Sequence, residues 1–563
     1  MKSISLVATT AILGLAACNS TISPDAVSLD TVTPKAMAPV ASRIDESAFR
    51  SHIEMLSSDA FEGRSPSSPG EARTLAYIAE RFKAAGLAPG NGDSYFQNVP
   101  LVTMTATSEP LTFRRDGVAL QVLEQGPDTV TWSKHVTESV TLDNSELVFV
   151  GYGIVAPEYG WNDYAGLDMS GKTAVILVND PGFATQDPAL FRGNAMTYYG
   201  RWTYKFEEAA RQGAAGALIV HETAPAAYPW DVVQGSWTGA QHDLVTPDKN
   251  LSRAKIEGWI NVDQATTLLR NAGQDYARAK ATATSPDFKA MPLGLTASTS
   301  TTNQISVSDS KNVLGLLKGS EQPDEIVVFT AHWDHLGRKT SLEGDQIYNG
   351  AVDNATGTSA LIVLADAFAK APTRPKRSLL FLAVTAEESG LLGSRHYGEN
   401  PVYPLAKTVA GINIDAMNVY GRARNVSVVG YGSSELEDIL ARAAAAQGRI
   451  IVPEPTPEKG FFYRSDHFNL AKKGVPMLYA KGGNDLRVGG TEAGDRAAAD
   501  YVTNRYHKPA DEYSADWDLS GTMEDLALYY TVASEVASRP DFVEWYDGTE
   551  FKAIRDASLA AAR

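Results

Sequence analysis

His332, Asp353, the adjacent pair Glu387–Glu388, Asp415 and His507 are the residues of this chain whose types and setting can do chemistry. Each falls just beyond a short apolar run or in a loop outside any periodic element. Two imidazoles and three carboxylates offer N and O donors that suit Zn²⁺ at about 2.0–2.2 Å. Five ligands are too many for one catalytic zinc with an open position. They match two ions if one carboxylate bridges. Paired ions about 3.5–4 Å apart can bind a hydroxide between them and clamp the tetrahedral intermediate of acyl hydrolysis. The glutamate pair then divides labour, one binding metal and the other moving a proton. His335, three residues beyond His332, is a rival for a ligand position.

The elements that must position this set are short apolar strands. Glu325 to Thr330 and Leu379 to Val384 read as strands buried on both faces, and Val409–Ile414 and Val475–Ala480 repeat the signature. Helical periods at 356–369, 433–447 and 523–538 separate them. Alternating strands and helices predict an α/β fold, an open, mostly parallel sheet with helices on both faces. Such sheets bind ligands beyond the carboxyl ends of their strands, which is where the candidate residues lie. Upstream, Phe49, Ile53 and Leu56 share one helical face and Leu75, Ile78, Ala79 and Phe82 another, with Gly86 placed as a C-terminal cap. From about residue 140 the texture turns to β. A helix-like stretch after residue 200 and another at 262–271 interrupt it. The Thr/Ser/Ala-rich passage 283–304 reads as a boundary.

Ala331-His332-Trp333-Asp334-His335-Leu336-Gly337, the run Asn349 to Gly357 (NGAVDNATG) and Thr385 to Ser394 (TAEESGLLGS) resemble the dinuclear-zinc peptidases of metallopeptidase family twenty-eight. That family includes leucyl-type aminopeptidases and glutamate carboxypeptidases, and the similarity covers roughly 45–120 and 305–540. The resemblance implies two Zn²⁺ ions per chain. It puts His332 and Asp415 on one, Glu388 and His507 on the other, and Asp353 between them. It makes Glu387 the general base, and Asp334 the carboxylate that orients His332 through its other ring N–H. It implies a cis peptide at Asp353–Asn354. Tyr463 is the candidate oxyanion donor, although the family tyrosine aligns nearer Phe462. The resemblance favours a supporting role for His335, and His467 is a weaker ligand candidate. Residues 140–290, through Val150 to Ile154 and Val178 to Gly182, resemble an inserted, mainly-β protease-associated domain. Arg201 and Trp202 there can reach the cleft or pack at a helix start.

The organisation that follows is a signal peptide over 1–17, a tether over 18–42 and the first part of the peptidase domain over 43–139. The insert then occupies 140–290 and the main zinc peptidase domain 291–563. Lys2 and the apolar run to Ala17 fit a signal core too short to span a bilayer, and Leu15-Ala16-Ala17-Cys18 resembles a bacterial lipobox. Cys18 is the single cysteine, so no intramolecular disulfide and no Cys-based zinc site can form. Asn19 resembles lipoproteins sorted to an outer membrane, so the lipid on Cys18 is the one expected membrane contact. The formal charge of −17, from 50 basic and 67 acidic residues, argues against nucleic acid or an anionic lipid surface as the main partner. The expected partner is a peptide. The expected activity is aminopeptidase, by a metal-bridging hydroxide with Glu387 as base. A glutamate-carboxypeptidase-like or dipeptidase activity on the same metals is the alternative, with Arg464 or Arg487 as candidate carboxylate clamps.

Overall fold

A computed structural model describes residues 43–562. The signal segment and the whole tether, Cys18 included, lie outside the described residues. Four parallel strands form the centre of the main sheet. They stand in the order Arg377–Val384, Gln322–His332, Thr408–Asn413 and Met477–Gly482. Antiparallel neighbours flank them, Met291–Leu317 beside Arg377–Val384 and Asn425–Val428 beside Met477–Gly482. The middles of the central strands, such as Ile326–Phe329 and Leu379–Val384, are apolar because both faces are covered. Every residue of Arg377–Val384 is buried.

Helix Thr356–Ala369 packs on one face and is buried on nearly every side. It lies between the sheet and the helices Glu46–Leu56 and Ser520–Val536. Glu46–Leu56 starts where the Asp45 side chain accepts the amides of Ser47 and Ala48, and it buries Phe49, Ile53 and Leu56. Pro69–Ala84 starts on the Ser68 cap with Pro at its first position and ends at Gly86. A φ of +85° there is the left-handed conformation that glycine adopts freely. No helix among the described residues is long and apolar enough to cross a membrane.

The segment 140–290 contributes a second set of parallel strands. Ser139–Phe149, Thr173–Leu177, Gly216–His221 and Ile256–Asn261 lie side by side. Helices Trp202–Arg211 and Val262–Asn271 are interposed in the chain. The passage 283–304 differs from its reading as a boundary. Most of it belongs to Met291–Leu317, a 27-residue strand that pairs with Phe96–Ser108, Ser139–Phe149 and Arg377–Val384. Its buried positions include Leu293, Leu295, Ala297, Thr299, Thr301 and Asn303, a period of two carried largely by small or polar residues. Burying threonine hydroxyls there requires partners, and Thr301 Oγ1 lies 2.8 Å from Ser108 Oγ.

Candidate metal centre

The candidate residues converge at the carboxyl edge of the parallel strands. His332 ends its strand, the Glu387–Glu388 pair follows Val384, and Asp415 follows Asn413. Asp353 sits in a distorted turn before helix Thr356–Ala369, joined to Asn354 by a cis peptide. His507, at φ +56°, lies beyond helix Gly490–Asn504.

Asp353 faces two ways. Its Oδ1 is 3.2 Å from His332 Nε2, and its Oδ2 is 3.3 Å from His507 Nε2. On the first side His332 Nε2 is also 3.5 Å from Asp415 Oδ1; on the second, His507 Nε2 is 3.0 Å from Glu388 Oε2. Two donors each about 2.0–2.1 Å from a tetrahedral zinc stand about 3.3 Å apart, so these spacings and the N/O donor set fit zinc. His332 is 1 % exposed and Asp353 7 %, so the cluster is a pocket of desolvated carboxylates that calls for a cation.

The electrostatics follow from that crowding. Burial works against a charged His332 imidazole, but Glu387, Asp353 and Asp415 around it outweigh burial and hold it well above its ordinary value. Burial likewise opposes the charged His507, and Asp353 and Glu388 bring it up to about 10. Burial lifts the Glu387 carboxyl well above the carboxylate range, and Glu388, Asp466 and Asp415 push the same way. Burial and Asp353 push Glu388 up, yet the imidazoles of His335 and His507 bring it down to about 2. Of the adjacent pair, Glu388 is thus committed to imidazoles, while Glu387 has none within ion-pair distance.

A supporting frame surrounds these groups. The Asp334 carboxylate accepts the amides of Glu387 at 3.1 Å and Glu388 at 3.4 Å. The family resemblance assigns that carboxylate to orienting His332. Instead the Asp334 backbone oxygen lies 3.1 Å from His332 Nδ1, while the carboxylate stands 3.9 Å away. Ser465 donates to Asp415 Oδ2 at 2.6 Å and accepts from Asn413, which itself accepts from Thr330. Asp511 accepts the amides of Val352 and Asp353, both at 3.1 Å.

One expectation meets a different arrangement. The Tyr463 hydroxyl, a candidate for an oxyanion, donates instead to Glu550 at 2.8 Å. Its ring is buried against Phe462 and Phe468. His335 stands where a supporting role puts it, with Nδ1 2.6 Å from Glu388 Oε1. His467 packs edge-on against Phe462 at 4.5 Å, and burial depresses it to about 3. Tyr506 was overlooked in the sequence. It stacks on His507 at 3.9 Å, and its place directly before a candidate ligand was the available signal.

A cavity of about 880 Å³ opens in front of Glu387, Glu388 and His507. Its walls include Arg201 and Trp202 from the 140–290 segment, and Arg464 and Tyr506 from the main sheet's side. The buried Arg201 Nε has no hydrogen-bond acceptor among the described residues.

Residues 312–531 match Peptidase family M28, and that stretch holds every member of the cluster. The match to that family therefore takes in the whole candidate centre while covering less than half of the chain. Among curated relatives, it is 34% identical to mouse "Aminopeptidase NAALADL1" over 137 residues, which are 23% of this chain and 17% of that protein. It is 23% identical over 319 residues to the Caenorhabditis elegans "Glutamate carboxypeptidase 2 homolog", covering 49% of this chain and 37% of that one. The chain therefore spans well under two thirds of these relatives. A solved aminopeptidase from Aneurinibacillus sp. strain AM-1 superposes with a TM-score of 0.46 at 19% identity, covering 90% of this chain and 97% of that chain.

Proposed function

We propose that this protein is an exported dinuclear zinc exopeptidase, foremost an aminopeptidase that removes N-terminal residues from peptides. The observation carrying the proposal is Asp353, whose two oxygens face His332 on one side and His507 on the other. His332, Asp353 and Asp415 would hold one ion, and Asp353, Glu388 and His507 the second, with His335 hydrogen-bonded to Glu388. Bound zinc supplies Lewis acidity at the scissile carbonyl and acidifies water toward a pKa of about 7. Glu387 accepts a proton from the attacking water and returns it to the leaving amine. Asp334 holds the Glu387 and Glu388 amides, so the base keeps its place as charge moves. Export and a lipid anchor on Cys18 belong to the same proposal, resting on the N-terminal sequence. Mass spectrometry of the mature N-terminus tests them.

A second reading, carboxypeptidase or dipeptidase action on the same metals, draws support from Arg201 and Arg464 on the cleft wall. Guanidinium groups recognise a free carboxylate by paired hydrogen bonds. Comparing a peptide with a free C-terminus against its amide separates the readings. Cleavage that requires the C-terminal carboxylate supports the second, and indifference to it supports the first.

A further inference from the structure

Behind the metal centre lies a buried cation that no catalytic step uses. Arg64 is 2% exposed, and its guanidinium meets four backbone carbonyls. Nε donates to Trp333 O at 2.9 Å, Nη1 to Leu56 O and Asn349 O at 2.6 Å each, and Nη2 to Gly350 O at 2.8 Å. Trp333 lies between His332 and Asp334. Asn349 and Gly350 open the turn that carries Asp353. One planar group therefore ties together the N-terminal helix and two of the loops that present the cluster.

The loop around Asp353 is held from both sides of its backbone. Arg64 takes the carbonyls of Asn349 and Gly350, while Asp511 takes the amides of Val352 and Asp353. A buried cation and a buried anion thus fix opposite polarities of one five-residue turn. Backbone conformation supports the placement. Arg64 sits at φ +52° and Gly63 at φ +64°. A Cβ at Gly63 would come within 2.5 Å of Tyr348 O and 2.6 Å of Gly337 O, so the chain approaches as closely as glycine permits.

We propose that Arg64 is a positioning residue for the metal centre, setting the separation of His332 and Asp353 through the carbonyls of Trp333, Asn349 and Gly350. The inference rests on the zinc reading of the cluster. Lysine cannot replace the fork, because a compact ammonium lacks the fixed planar directions that reach four acceptors.

A buried arginine at the other end of the same sheet serves as the control. Arg377 donates to Val536 O, Arg539 O and Pro540 O and pairs with Glu325, remote from the cluster. The experiment measures zinc affinity of full-length protein by competition with a chromophoric chelator, together with thermal midpoints of the metal-free forms. Arg64→Lys should weaken zinc binding about 10- to 100-fold, the range seen when groups supporting metal ligands are lost. Arg377→Lys should lower the midpoint while leaving affinity within about twofold. Equal affinity losses in both variants, or none in Arg64→Lys, would overturn the proposal.

Should the lysine variant fail to fold, Arg64→Gly suits the positive φ and leaves a guanidinium-shaped space. Millimolar guanidinium should then restore zinc affinity where sodium at the same ionic strength does not. Absence of that rescue would overturn the proposal. Wild-type protein that takes up no zinc would instead overturn the reading of the cluster itself.

Discussion

His332 and His507 approach one carboxylate from opposite sides, with Nε2 atoms 3.2 Å and 3.3 Å from the two oxygens of Asp353. They come from distant parts of the chain, one from a strand end and the other from a loop after a late helix. Among the described residues, Asp353 is the carboxylate that both imidazoles face.

That sharing predicts unequal losses. His332→Ala should leave about one zinc per chain, because Asp353, Glu388 and His507 remain. Asp353→Ala should strip both ions, since each half loses a ligand. Metal analysis after dialysis distinguishes the outcomes. Equal stoichiometry in the two variants would contradict a shared carboxylate.

Glu387 has no imidazole committed to it, whereas Glu388 contacts His335 and His507. Glu387→Gln should therefore reduce kcat by about 10²–10⁴-fold while zinc content stays at the wild-type level. Retained turnover would remove the proton-transfer role. Glu388→Gln should instead weaken metal binding.

Much of this centre was legible in the sequence because it depends on residue type at strand ends. A histidine or carboxylate directly after a run such as Val327 to Thr330 is conspicuous, and the adjacent glutamates doubly so. The supporting frame was not legible. Arg64 acts on carbonyls 269 and 285 residues away, and any sequence supplies carbonyls. The long strand Met291–Leu317 was hidden for a related reason. Its buried face uses Thr299, Thr301 and Asn303, which carry no hydrophobic period. Tyr463 misled because residue type suggested an oxyanion donor, while packing turned its hydroxyl to Glu550.

The cleft arginines yield a prediction about substrate ends. Arg464→Gln and Arg201→Gln should raise KM for peptides with a free C-terminal carboxylate more than for the corresponding amides if either guanidinium clamps that group. A desolvated, charge-assisted hydrogen bond contributes about 1.5–3 kcal/mol, or roughly 10- to 150-fold. Equal effects on acid and amide would leave both arginines as wall residues.

Asp243 ties the 140–290 segment to the peptidase side. It pairs with Arg395 of helix Leu392–Glu399 and with Lys134 at 3.2 Å. Burial alone would raise its carboxyl, but Lys134 and Arg395 outweigh burial and hold it well below the ordinary carboxylate range. A depressed folded-state pKa stabilises the fold above the unfolded value of about 3.9, and that stability is lost as pH falls through the lower folded value. Asp243→Asn should cost about 3 kcal/mol at pH 7. The gap from wild type should narrow below about pH 4 in urea titrations. A gap that persists unchanged in acid would contradict the ion-pair account.

The most direct test of the central claim is hydrolysis of a leucyl peptide with a free N-terminus beside its N-acetylated twin, each with and without a chelator. The proposed aminopeptidase predicts cleavage of the free form alone, abolished by the chelator and restored by zinc. Cleavage that survives thorough removal of metal would contradict the account.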